Sequence, residues 1–245
     1  MTLILSVDLA CKSYHNFGFC WLQESAGKVA NIQYPSEQDI GLKGAPEPNV
    51  FAYAVLRYCL DNGVSILMLD GPQGWKAPDN GLLDRRICEK VWNTMAKTGT
   101  KGQVKPANFQ PFISFSIDVF SALYQSGVVS LVTRPKIEVP ASGVLLIETY
   151  PHSAWRSLKI RPLSGKRHCS PEQMAQNLKE LERRFQLPEC GTPTHDQLSA
   201  LAAGLAGVAI AAGNASGYVA SGAPPRLTPE GYLVEGYIIN PINPR

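Results

Sequence analysis

This chain of 245 residues has six cysteines but no Cys-x-x-Cys pair, and no two histidines at metal-ligand spacing. A zinc site is therefore not expected, and widely spaced free thiols fit a reducing cytoplasm. A membrane-length apolar run is also missing. Leu198–Ala212 is apolar but spans only 15 residues, against the roughly 20 that cross a bilayer, and is mostly alanine and glycine, the composition of a buried helix. The start, Met1 to Asp8, has no basic flank and meets a carboxylate too early for a secretory signal. Charge is scarce as well. Charged residues make up 18% of the chain, and the net charge is +3, too little to mark a polyanion binder by itself. With 44% hydrophobic residues, a disordered chain is excluded.

The charge that exists is unevenly placed. No acid lies between Lys90 and Ile117, which include Lys97, Lys101 and Lys105, nor between Thr149 and Pro171, which include Arg156, Lys159, Arg161, Lys166 and Arg167. On one face these stretches would attract a polyanion; scattered, they are ordinary solvated charge.

Three apolar runs each close on an acid: Leu3–Val7 on Asp8, Val64–Leu69 on Asp70, and Gly143–Ile147 on Glu148. Runs of this kind read as strands covered on both faces. Between the first two, Gly18–Leu22 and Lys28–Tyr34 flank the turn Glu24–Gly27, so three antiparallel strands are expected at the start. Asn49 and Gly63 bracket a helix, a second is expected over about 83–95, and a third over 112–126, stopped by Gly127. Ser170-Pro-Glu-Gln173 reads as a capped helix start, and Thr194–Gln197 repeats the pattern with Asp196 in its first turn. The expectation is an α/β fold: a mixed five-stranded sheet, three antiparallel strands followed by two parallel ones, with helices on both faces. Residues 1–220 would form the domain. Residues 221–245, rich in proline and containing the alternating stretch Tyr232–Ile239, would form an extension packed on it.

Helical crossovers return strands parallel to the first, which places Asp8, Asp70 and Glu148 at one carboxyl edge, where open α/β sheets bind ligands. Any single acid after a strand is adequately explained as a turn former, and Asp196 as a complement to the helix dipole. Together they read as a carboxylate cluster. Clustered carboxylates need a compensating cation, and oxygen donors alone select Mg²⁺ or Mn²⁺. Two such ions would support hydrolysis of a phosphodiester, with nucleic acid or another phosphodiester as substrate.

The ordered set Val7-Asp8-Leu-Ala10, Leu69-Asp70-Gly-Pro72 with Leu83–Cys88, Ile147-Glu148-Thr-Tyr-Pro151, Thr194–Ala200 and Glu235–Ile238 resembles the DUF429 family, whose members are regarded as ribonuclease H-like nucleases. The resemblance implies a ribonuclease H-like fold, Asp8, Asp70 and Asp196 as core metal ligands, and Glu148 as a fourth acid. It also implies phosphate contacts from Arg85 and Lys166, each equally readable as a surface charge. His152 stands where relatives often carry an acid. Two other classes fit the same residues: a phosphotransferase of the actin and sugar-kinase type, for which no second lobe is found, and a non-catalytic module of the same fold.

Overall fold

The computed structural model describes residues 1–244. Strands β1 (Thr2–Asp8), β2 (Gly18–Ser25) and β3 (Lys28–Gln33) form the expected antiparallel meander, with Asp8 opposite Gly18. Helix α1 (Pro48–Asp61) then carries the chain to β4 (Val64–Asp70), which pairs parallel to β1. Its cap is Glu47, whose carboxylate accepts from the Val50 amide while Pro48 opens the first turn, so the start falls two residues before Asn49. After α2 (Ile87–Trp92) and α3 (Gln110–Gln125), a short β5 (Val129–Leu131) leads to β6 (Val144–Thr149), parallel to β4. Helices α4 (Pro151–Ser157), α5 (Pro171–Phe185) and α6 (His195–Ala211) follow, and the chain ends with β7 (Tyr218–Leu227) and β8 (Leu233–Pro241).

The strand order is β3-β2-β1-β4-β6-β8-β7, with β5 beside the start of β6 and β8 beside its end. The five strands expected from sequence thus form one continuous ribonuclease H-like sheet, and three further strands extend it to eight. The tail is more deeply integrated than an extension would be. It forms an antiparallel hairpin whose second strand lies inside the sheet with all nine residues buried, which is why Leu233–Ile239 does not keep a polar face.

Side chains alternate between two layers. Ile4, Met68 and Ile147 face α6 and Trp155 of α4 in one core, while Leu5, Val7, Leu67, Leu69 and Leu146 face α1 and α3 in the other. Helices therefore cover both faces. The alanine and glycine content of α6 has a packing cause. A β-carbon at Gly204 would lie 2.7 Å from Leu22, and one at Gly207 would lie 2.6 Å from Met68, so small residues let the helix sit close on the sheet.

The expected helix over 83–95 shrinks to the six residues of α2. Asn93 turns left-handed at φ 49° and ends it, while Leu83 and Met95, at the two ends of the expected helix, are 94% and 65% exposed. Among the described residues no helix is long and apolar enough to cross a membrane.

Candidate carboxylate site

The pleat decides which acids meet. Val7 pairs with Leu69, and Leu69 with Glu148, so these three side chains point to the α1/α3 face. The next residue along each strand points the other way. Asp8, Asp70 and Thr149, the last two direct register partners, therefore stand side by side on the α6 face. The two carboxyls are close enough for each to act on the other's charge. Burial pushes both carboxyls above the usual carboxylate range, and mutual repulsion adds to the rise at Asp8. With both groups raised in this way, the pair carries less than two negative charges at neutral pH.

Asp196 reaches the same place from α6. Thr194 caps that helix by accepting from the Gln197 amide, and the Gln197 side chain returns the bond to the cap. The helix start can lie against β2 because residue 18 is glycine: a β-carbon there would sit 2.1 Å from the backbone of Asp196. Gly18 is itself the partner of Asp8, so this one missing side chain brings the third acid to the first. The Asp196 carboxylate is already engaged. Lys166 pairs with one oxygen and also donates to Asn16 Oδ1 at 3.2 Å. His195 Nδ1 holds the other oxygen at 3.0 Å, and its Nε2 contacts the Ser164 carbonyl at 3.0 Å. Both imidazole nitrogens face acceptors, and the Asp196 hydrogen bond chiefly raises the His195 pKa. Burial pushes the Asp196 carboxyl up, but His195 and Lys166 outweigh it and hold it below the usual range.

Glu148 is held differently. It is 2% exposed, and both oxygens accept from the Arg86 guanidinium at 2.6 and 2.8 Å, while the Gln73 amide donates to it at 3.0 Å. Arg86 also donates through Nε to Glu89 at 3.0 Å, and Glu89 is further held by Thr98. The expected fourth acid of the cluster is thus the buried counter-ion of Arg86: its side chain leaves the other side of the pleat, yet it lines the same cavity as Asp8 and Asp70, and its charge adds to the rise at Asp70. Arg85 lies apart from the acid pair. Its guanidinium pairs with its neighbour Asp84 at 2.9 Å and does not line the cavity at the acid pair; the arginine that reaches this edge is Arg86. Lys166 lies at the site as expected, bound to Asp196. Glu235 was read only as part of a motif, yet it is buried and accepts from the amides of Ala77 and Ile87 and from Asn80 at 2.6–3.1 Å. It ties the loop after β4 to the hairpin. The sequence signal for it is an acid followed by glycine inside an apolar stretch, and its backbone takes a positive φ of 61°.

Among the described residues no group of three or more His, Cys, Asp or Glu side chains is arranged to hold a metal ion. The donor chemistry nonetheless separates the four acids. Asp8 and Asp70 suit a hard divalent cation, since two adjoining carboxylates in a low-dielectric niche ionise fully only beside positive charge. Asp196 adjoins them and would complete the set by exchanging Lys166. Glu148 is paired with Arg86 and would have to exchange that partner to meet a cation.

No family model matches the sequence, and no curated protein matches it significantly. Two solved structures are similar over most of the chain. One is Thermus thermophilus RuvC, at 10% identity and a TM-score of 0.36, covering 82% of this chain and 90% of that one. The other is T. thermophilus RuvC in complex with a Holliday junction substrate, at 9% identity and 0.34, covering 82% and 89%. The fold follows from the strand order itself.

Asp8 and Asp70 open onto a cavity of about 390 Å³ across the carboxyl ends of β1, β4 and β6. Its walls are largely apolar: Met95, Phe109, Phe112, Tyr150 and Trp155 contribute, together with Pro72 and Leu163.

Proposed function

We propose that the chain is a divalent-cation-dependent phosphodiesterase acting on nucleic acid, a ribonuclease H-like nuclease of the kind the DUF429 resemblance implies. The observation that carries this reading is the Asp8–Asp70 pair: two neighbouring buried carboxyls at the carboxyl edge of a mixed sheet, both pushed toward protonation by burial. Asp8, Asp70 and Asp196 would hold Mg²⁺ or Mn²⁺, which supplies the charge that activates water and stabilises the leaving oxygen in such chemistry. Glu148 and Arg86 support the loop after β4 from behind. Lys166, half-exposed beside Asp196, is placed to meet a phosphate when a cation takes over its partner. His195, held by Ser164 and Asp196, keeps the start of α6 oriented toward Asp8.

The test is cleavage of labelled single-stranded DNA, duplex DNA, RNA and a four-way junction with Mn²⁺. Cleavage by the native protein and background levels with folded Asp8→Asn protein support the reading. No cleavage of any member, or equal cleavage by the variant, rejects it.

A further inference from the structure

Three buried or half-buried polar groups around the cavity have no partner. Thr149 and Trp155 are each 1% exposed, and neither the threonine hydroxyl nor the indole N–H makes a hydrogen bond; the same holds for His152 Nδ1. Buried polar groups are normally satisfied, because an orphan costs its desolvation without return. All three residues line the same cavity as Asp8 and Asp70, and Thr149 is the register partner of Asp70. Around them stand flat and apolar surfaces from Phe109, Phe112, Tyr150 and Met95. The chemistry asked for is a planar ring with hydrogen-bonding atoms on its edge and apolar faces.

We propose that this cavity receives one unstacked nucleobase of the substrate, with the indole N–H of Trp155 and the hydroxyl of Thr149 meeting its edge beside the carboxylate pair. The proposal rests on the phosphodiesterase reading and narrows its substrate to strands that can release a base. A volume of about 390 Å³ lies within the roughly 300–1,000 Å³ range of small-molecule sites, whereas a stacked duplex edge cannot enter it. Reading a base this way, by edge hydrogen bonds between apolar or aromatic surfaces, is how proteins hold nucleotides taken out of the stack. Trp155 donates only, Thr149 both donates and accepts, and His152 Nδ1 does either according to its tautomer. The base must therefore offer at least one acceptor. Because Asp8 and Asp70 form part of the same wall, the phosphate attached to a bound nucleoside lies on the carboxylate side.

The test is calorimetric titration of the intact protein, with Ca²⁺ present, by AMP, GMP, CMP and UMP, and separately by ribose 5-phosphate, which keeps the phosphate and lacks the base. At least one nucleotide is expected to bind about tenfold tighter than ribose 5-phosphate, a preference of about 1.4 kcal/mol. Thr149→Val, which keeps the shape and removes the hydroxyl, should erode that preference about three- to tenfold. Trp155→Phe should do the same, and Phe112→Ala provides a second route should the tryptophan variant fail to fold. Equal binding of ribose 5-phosphate and every nucleotide, absence of nucleotide binding, or a preference untouched in folded Thr149→Val protein overturns the proposal. Failure of the nuclease reading looks different: nucleotides bind with the stated preference, yet no nucleic acid is cut.

Discussion

Asp8 and Asp70 oppose folding as long as no cation accompanies them, and this has a measurable sign. Burial raises Asp70 from 3.8 to about 7, and Asp8 is raised too. A carboxyl whose folded pKa lies above its unfolded one contributes fully below the unfolded value, near pH 4. The contribution is lost as pH rises through the folded value, near 7. Metal-free protein should therefore melt at lower temperature at pH 8 than at pH 5 on account of this pair. Asp70→Asn should remove that penalty, stabilising the metal-free protein at pH 8 by on the order of 2 kcal/mol, read by thermal melting in chelator. A melting temperature in Asp70→Asn protein equal to or below the native value at pH 8 would contradict the strain described here. Arg86 behaves oppositely. Replaced by methionine, it leaves Glu148 and Glu89 buried without their cation, and a loss of about 3–5 kcal/mol is expected in denaturant unfolding; a loss under 1 kcal/mol would mean the network is not the support it is taken to be. Among single residues the sequence was readable where chemistry sat at a strand end, as with Asp8 and Asp70. It misled where one step of the pleat mattered: Glu148 and Thr149 are neighbours in the chain, and only pairing with β4 shows which of them faces the acids. Arg85 and Arg86 posed the same ambiguity.

At the scale of elements, the site depends on how closely α6 lies against β2. The approach is permitted by Gly18, where an added β-carbon would lie 2.1 Å from the Asp196 carbonyl. Gly18→Ala should push the helix start away from Asp8 while leaving the sheet intact, and a displacement near 1 Å costs about a hundredfold in turnover. Cleavage assays beside circular dichroism check this; a folded Gly18→Ala protein with native activity would show that Asp196 is not needed where it stands. The capped start of α6 and the strands ending in acids were legible, because capping residues and apolar runs act locally. The extent of α2 was not. Leu83, Val91 and Met95 repeat at helical spacing, yet they are exposed, and a left-handed Asn93 ends the helix after six residues. Apolar spacing signals a helix only when there is something to pack against, and that partner is set by tertiary structure.

The whole molecule closes only with its tail. Strand β8 lies between β6 and β7 with every residue buried, and Glu235 within it anchors the loop that follows Asp70. A chain ending at Gly217 is expected to lose cooperative unfolding and to expose the β6 edge, detectable as aggregation or a non-cooperative melt; a soluble, cooperatively melting 1–217 fragment would show that the hairpin is dispensable. The sequence reading anticipated a packed appendage because its prolines read as loop. Sheet order is a property of long-range pairing that no local pattern reveals. The central claim is that Asp8 and Asp70, and not Glu148, hold the divalent cation. Mn²⁺ titration calorimetry at pH 8 on folded native, Asp70→Asn and Glu148→Gln proteins tests it most directly: binding is predicted for the native and Glu148→Gln proteins and none for Asp70→Asn. Absence of binding to the native protein, or binding by Asp70→Asn as tight as native, would contradict it.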